Sequence, residues 1–215
     1  MWKQLLRVRD KAVIKCGGIE SLMLCISSCY ENSIVHLSKL YSTMSPVTNK
    51  VPWFYVVWEN FSYPKHCFIL WLAVQNRLLI KERLLKRGLI QAGQCCLCED
   101  ASLETRDHLF FECRFSVAVW NGVMSWLRFN WKTCNWGLLI FWYSSRLRGK
   151  GFRHKIKRMA LSTTVYILWK KRNARVFKQK RRSVDQSVTE IKIDILSITL
   201  NSSLPADEKD WLLSL

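Results

Sequence analysis

Five potential metal ligands, Cys95, Cys96, Cys98, His108 and Cys113, fall close together in this chain, and no other feature of the sequence restricts its fold so tightly. Read as C-x2-C-x9-H-x4-C, the pattern lets Cys95 and Cys98 reach one ion from a tight turn. His108 and Cys113, about one helical turn apart, then supply the other two corners of a tetrahedron. Zinc accepts such a set readily, with sulfur at ~2.3 Å and imidazole nitrogen at ~2.0 Å. The spacer QCCLCEDASLETRDH is polar and has no apolar run to hold itself together, as a metal-stapled loop should be. Four protein ligands leave no open coordination position, so the expectation is one structural Zn²⁺ and no hydrolytic site. Two alternatives stay open at this level. The residues can be ordinary buried cysteines beside a polar histidine, or Cys96 can replace Cys95 as a ligand.

The other cysteines are scattered, and the total of nine is odd in a chain of 215 residues, long enough to build a core without disulfides. This usage predicts a reduced, intracellular protein. The N-terminal segment MWKQLLRVRDKAVIKC is amphipathic but too charged for a secretory signal. No run approaches the ~18 apolar residues of a membrane helix. The expectation is a soluble chain with no membrane partner.

Charge is distributed unevenly. Lys and Arg number 34 against 16 Asp and Glu, a net of +18. Fifteen of the basic residues and none of the acidic ones lie in residues 144–182, which leaves a net of only +3 for the rest of the chain. An acid-free basic stretch of this kind predicts an anionic partner, here RNA or DNA bound without sequence preference through counterion release. Arg153, Lys157, Lys171, Arg172 and Arg175 are the candidate phosphate contacts, and Phe152 or Phe177 could stack on bases. Trp169 and Phe177 are also expected on the packed face of the same helix. The run KKRNARVFKQKRR suits nuclear targeting, so the expected location is nucleus or cytoplasm.

Apolar periodicity predicts mostly helices. Trp2, Leu5, Leu6, Val8, Val13 and Ile14 lie broadly on one side of a first helix, whereas SLMLCISSCYENS shows no clear period. Ser42, Ser45, Pro46, Thr48 and Asn49 read as a loop. Trp53, Val56, Val57 and Phe61 recur at helical spacing. Pro64 opens a helix with Phe68, Leu70, Trp71, Val74 and Leu78 on its apolar face, and a short helix Lys81 to Arg87 ends at Gly88. Val117, Trp120, Val123, Met124 and Leu127 mark another stripe, and Asn135 to Tyr143 is a short apolar helix or strand. A long basic helix should bury Ile156, Met159, Ala160, Thr163, Ile167 and Leu168. A last helix, about Val184 to Leu200, carries Val188, Ile191, Ile195 and Ile198.

Taken together, Trp53-x4-Trp58, Pro64-Lys65-His66-x-Phe68-x2-Trp71-Leu72-Ala73, Asn76-Arg77-Leu78, Arg83-Leu84, the two cysteines, Glu104, Asp107-His108-Leu109-Phe110-Phe111-x-Cys113 and Trp120 carry a resemblance. The chain resembles the reverse transcriptase zinc-binding domain at the end of plant non-LTR (LINE-type) retrotransposon polyproteins. Ile167-x-Trp169-Lys170-x-Arg172-Asn173-x-Arg175-x-Phe177 resembles the stretch that follows that domain. The resemblance covers about residues 50–180, and more weakly Trp2 to Asp10. It implies a mainly α, zinc-stapled module with a long basic helical extension, descended from a mobile element, with zinc on Cys95, Cys98, His108 and Cys113. The expected organisation is a remnant segment over 1–49, the zinc-binding domain over 50–143 and a basic helical tail over 144–215. A protein partner from the parent polyprotein, meeting the aromatic-rich faces of residues 50–80 and 117–143, is the alternative to nucleic acid.

Catalysis is not expected. Polymerase chemistry requires paired aspartates to hold two metal ions. No Asp-Asp occurs in the sequence, and no acidic residue lies between Glu112 and Asp185. No Gly-rich phosphate loop, G-x-S-x-G or H-E-x-x-H is present, and no small-molecule substrate is expected. Asp107 is expected to cap a turn or to orient the His108 ring.

Overall fold

The computed structural model describes residues 2–31, 34–45, 51–58, 61–98, 100–130, 132, 134–149, 151–202 and 205–215. Among these the chain is 69% helix and 3% strand, the mainly α class that the periodicities predict. It divides into two compact units, Met1–Lys50 and Val51–Leu215.

The first unit holds α1 (Trp2–Cys16), α2 (Ile19–Ser28), a ribbon of β1 (Tyr30–Glu31) and β2 (Ile34–Val35), and α3 (Leu37–Met44). Gly17 ends α1 with a φ of 78°. Its N–H donates to the Ile14 carbonyl and that of Gly18 to the Val13 carbonyl. This is a Schellman closure, which a side chain at the left-handed position would strain. The segment without a clear period forms α2 and then the ribbon, in which Tyr30 pairs with Val35 and Glu31 with Ile34. Its helix buries only Leu22, so there was little amphipathic contrast to read. Val8 and Ile14, expected on a shared apolar side of α1, are exposed. The side chains of Trp2 and Leu5 lie outside the described residues, as do Pro46, Thr48 and Asn49 of the expected loop. Ser42 falls inside α3, where its hydroxyl donates back to the Ser38 carbonyl at 2.9 Å.

The second unit contains α4 (Phe54–Val57), α5 (Pro64–Val74), α6 (Lys81–Lys86), a π-helical turn (His108–Glu112), α7 (Arg114–Trp126), α8 (Trp136–Arg146), α9 (Phe152–Lys178), α10 (Val184–Leu200) and α11 (Ala206–Leu213). Pro64 takes the first position of α5, where its missing N–H costs nothing. Gly88 closes α6 with a φ of 67°, while Leu89 N–H donates to the Leu84 carbonyl. Asn135 decides between strand and helix for the apolar segment after it. Its side-chain oxygen accepts the Leu138 N–H at 2.9 Å and starts α8. Ser183 and Gln186 form a reciprocal capping box at the start of α10. The helix α11 was not anticipated; Asp207 and Glu208 in its first turn favour it, and Leu212 anchors it.

The 27-residue helix α9 is the spine of this unit, packed against α5, α7 and α10. Ile156, Met159, Ala160, Thr163, Ile167 and Leu168 are all buried, as their spacing predicted. The basic stretch is therefore packed within the same compact unit as the Cys/His segment. Phe177 stands out from it and is exposed, contrary to the packed position expected, because α9 has passed beyond its neighbours there. On α5 the buried stripe is His66, Cys67, Leu70 and Ala73, at i, i+4 and i+7 spacing. The expected Phe68 and Trp71 lie at the edge of that face, where Trp71 packs against Phe68 and Trp58. No helix among the described residues is long and apolar enough to cross a membrane.

His66 joins α5 to α9 and α10. It is fully buried, with Nδ1 3.2 Å from the Thr163 hydroxyl and Nε2 3.7 Å from an Asp194 oxygen. Tyr63 and Tyr166 cover the ring. Burial, helped by Lys65 and Lys170, lowers its pKa to about 3, while burial raises that of Asp194. A folded-state pKa below the unfolded value of about 6.5 gives stability that is full above pH 6.5 and lost as pH falls. We predict that urea unfolding at pH 6.5 and pH 5.0 shows wild type losing about 2 kcal/mol more than His66→Gln over that interval. Equal losses would refute the assignment.

Candidate metal centre

The two halves of the site are built differently. Cys95 N–H donates to the Ser102 carbonyl at 2.8 Å, and Glu104 N–H to the Gly93 carbonyl at 2.8 Å. A short antiparallel bridge between Gln94 and Leu103 thus closes a loop carrying Cys95 and Cys98. Within the turn, Leu97 N–H points at the Cys95 sulfur, 3.4 Å away. Backbone N–H groups of Cys98 and Asp100 turn onto the Cys95 and Cys98 sulfurs respectively. Such amide-to-sulfur bonds favour thiolate, the form a metal requires.

His108 and Cys113 come from the π-helical turn. In an α-helix, five residues advance roughly 1.4 turns and would point the two side chains apart. Here Cys113 N–H donates to the His108 carbonyl at 2.8 Å, the wider i→i+5 closure that brings both side chains to one side. The turn is held from below. Trp120 Nε1 donates to the Phe110 carbonyl at 2.7 Å, and the Ser116 hydroxyl to the Leu109 carbonyl at 2.6 Å. Phe111 stacks on Trp120, and Phe110 and Phe111 both meet Trp136 edge-on. Cys113 precedes α7, whose first amides, Phe115 and Ser116, turn onto its sulfur.

Cys95, Cys98, His108 and Cys113 converge, with one donor atom from each within 4.8 Å of all the others. The Cys95 and Cys113 sulfurs are 3.9 Å apart, and Cys98 Sγ lies 3.3 Å from His108 Nε2. Donation from the Cys95 thiol pulls the Cys113 pKa down and pushes that of Cys95 up. Three sulfurs and one imidazole nitrogen, closed around a common point, fit a tetrahedral metal ion of the zinc type. Cys96 points elsewhere, with its sulfur 4.0 Å from a Glu104 oxygen and 3.9 Å from the Arg172 carbonyl. Asp107 does not hold the imidazole. Its carboxylate accepts the Trp136 N–H at 3.2 Å and pins the start of α8.

Around this cluster stand groups that spacing alone did not single out for this role. Glu104 is fully buried; it accepts the Lys81 N–H at 2.8 Å and the Arg172 guanidinium at 2.7 Å and 3.1 Å on one oxygen, and 3.2 Å on the other. Arg175 Nη1 donates to the carbonyls of Cys96 at 2.6 Å and Leu97 at 3.0 Å. Thus α9 clamps the cysteine turn through two arginines. Lys171 is also buried, against Glu190. Of the five expected phosphate contacts, Lys171, Arg172 and Arg175 are engaged internally, and only Arg153 is exposed, with Lys157 half-buried. The one signal for this division was that Glu104 and Arg172 both stand among the residues that carry the family resemblance.

Breaking a buried ion pair strands a charge, at a cost of about 3–5 kcal/mol. We predict a loss of that size for Arg172→Met by denaturant unfolding, and a smaller loss for Glu104→Leu combined with Arg172→Met. A double variant as damaged as the sum of the singles would argue against direct pairing.

Residues 36–120 match the model of a family described as zinc-binding in reverse transcriptase. No curated protein and no solved structure matches the chain. The match takes in all four converging residues and ends within α7, so α8 to α11 lie outside it. Residues 36–120 of this chain therefore carry a reverse-transcriptase zinc-binding domain, an accessory domain distinct from the polymerase itself.

Proposed function

We propose that the chain is a structural zinc module from a plant LINE-type retrotransposon, without catalytic activity of its own, that holds nucleic acid through its basic surface. The convergence of Cys95, Cys98, His108 and Cys113 carries the zinc reading. Zn²⁺ with three thiolates and a neutral imidazole has all four positions taken by protein, so no water remains for activation. The complex has a net charge of −1, and Arg175 beside the cysteine turn offsets it. The ion would stabilise by joining the cysteine loop to the π-helical turn.

The nucleic-acid reading rests on charge that folding leaves at the surface. Arg146, Arg148 and Arg153 are exposed along one end of the α8–α9 region, and Lys178, Lys180 and Arg181 at the other. Arg158 is spent internally, donating to the Leu147 carbonyl and to that of Gly149 at 3.1 Å. Lys170 and Arg182 lean on Glu190. The available charge is thus smaller than the sequence count, and suits non-specific phosphate contact better than base readout.

Metal analysis of the reduced, folded protein is expected to return about one zinc per chain. Cys98→Ser or His108→Ala should lose the zinc and with it the ordered NMR signals of residues 91–125. A folded, reduced sample without zinc would overturn the metal reading. In a salt titration, log affinity for RNA or DNA should fall linearly with log salt, and Arg153→Gln should lessen the slope by about 1. A flat titration would remove the electrostatic interface.

A further inference from the structure

Beside the acid-free end of α9, the loop after α7 and the outer face of α8 leave a hollow of about 700 Å³. Its floor is aromatic. The Phe129 and Trp142 rings lie 5.6 Å apart at 38°, and Trp142 is 37% exposed. Phe141 and Leu138 form one wall and are 70% and 59% exposed, an uncommon outlay of apolar surface on one short helix. The rim is cationic. Lys132 lines the hollow, and Lys157 Nζ sits 3.9 Å above the centre of the Phe129 ring. Lys157, which reaches the first hollow through the Phe129 ring, lines a smaller hollow of about 260 Å³ with Arg128 and Arg153, so positive charge continues past the aromatic floor. Among the described residues, no carboxylate lines either hollow. On the far side of Arg153 stand Asp207 and Glu208, which bound the positive track at the start of α11.

We infer that this hollow is a binding site for an unstacked base of single-stranded nucleic acid, with Phe141 and Trp142 receiving the base face and Lys132, Lys157 and Arg128 the flanking phosphates. The inference rests on the nucleic-acid reading above and adds to it a place and a strand preference. Flat aromatic rings exposed between cations match the alternation of base face and phosphate along a single strand. A duplex keeps its bases stacked and offers the hollow only its backbone. Burial and the nearby Arg153 hold Lys157 below the usual lysine range, a strain that an adjacent phosphate relieves. A volume of about 700 Å³ falls within the range of small-ligand sites, about 300–1,000 Å³. A second copy of this chain is the competing occupant, and the test separates it.

The experiment uses the full, zinc-loaded chain and fluorescence anisotropy at low salt. Three probes are compared: an oligodeoxythymidylate, an abasic strand with the same number of phosphates, and a duplex of equal length. Wild type is expected to bind the base-bearing strand about tenfold tighter than the abasic strand. Phe141→Ala should bring the two affinities together; its side chain is largely exposed, and alanine favours helix. Photocrosslinking of an iodouracil strand to the wild-type chain provides a second reading that needs no variant, with adducts expected in residues 128–157. Equal wild-type affinity for base-bearing and abasic strands overturns the base site and leaves the electrostatic reading standing. Failure to bind any probe overturns both. Adducts confined to residues outside 128–157 also overturn the site. So does a dimer seen by light scattering that Phe141→Ala dissolves without changing strand affinity, which would make the hollow a protein-docking face.

Discussion

The buried contact between Glu104 and Arg172 is the point on which the second unit depends. Glu104 closes the short ribbon that presents Cys95 and Cys98, and it accepts the first amide of α6. Arg172 belongs to α9 and is separated from it by 68 positions in sequence. A single desolvated ion pair therefore holds the metal loop, the start of α6 and the central helix in one arrangement. Its strength comes from multiple hydrogen bonds in a site from which water is excluded, since the attraction of two buried charges by itself barely offsets their desolvation. Arg175, one turn further along α9, extends the same clamp to the carbonyls of the cysteine turn.

This arrangement changes how the basic stretch is understood. A helix with fifteen uncompensated charges nearby reads as a solvated tail, yet α9 is the most deeply packed helix of the unit. Lys171, Arg172 and Arg158 are buried because each finds a specific acceptor, a carboxylate or a helix-end carbonyl. Their long aliphatic stems cover apolar surface while their heads are satisfied. Folding thereby sorts one class of residue into two. Some cations hold the structure together, and others, Arg146, Arg148, Arg153, Lys178, Lys180 and Arg181 among them, face solvent.

Much of the helical plan could be read in the sequence because local signals reinforced one another. Pro64, Gly88, and the apolar period of α9 and α10 each act within a few residues. Where local contrast was weak, reading failed: α2 is apolar on most sides, and α11 is too short for a period. The stripe on α5 came out rotated because its burial is decided by α9, through His66 and Thr163, and not by the hydrophobicity of α5 itself.

Ligand type and spacing, local properties of a turn and a helical segment, narrowed the cluster to Cys98, His108, Cys113 and one of Cys95 and Cys96. The sequence by itself also determined the start of α5 at Pro64 and the end of α6 at Gly88, through residues that act on adjacent amides. That His108 and Cys113 meet through a π-helical closure, and that Cys96 turns away from the cluster, follows from packing against distant parts of the chain. Tertiary packing also decided which cations are structural. Whether an arginine faces solvent depends on which carboxylate or carbonyl the fold delivers to it, and Glu104 reaches Arg172 from a distant part of the chain. Burial of a charge is a property of that meeting, and no count along the sequence contains it.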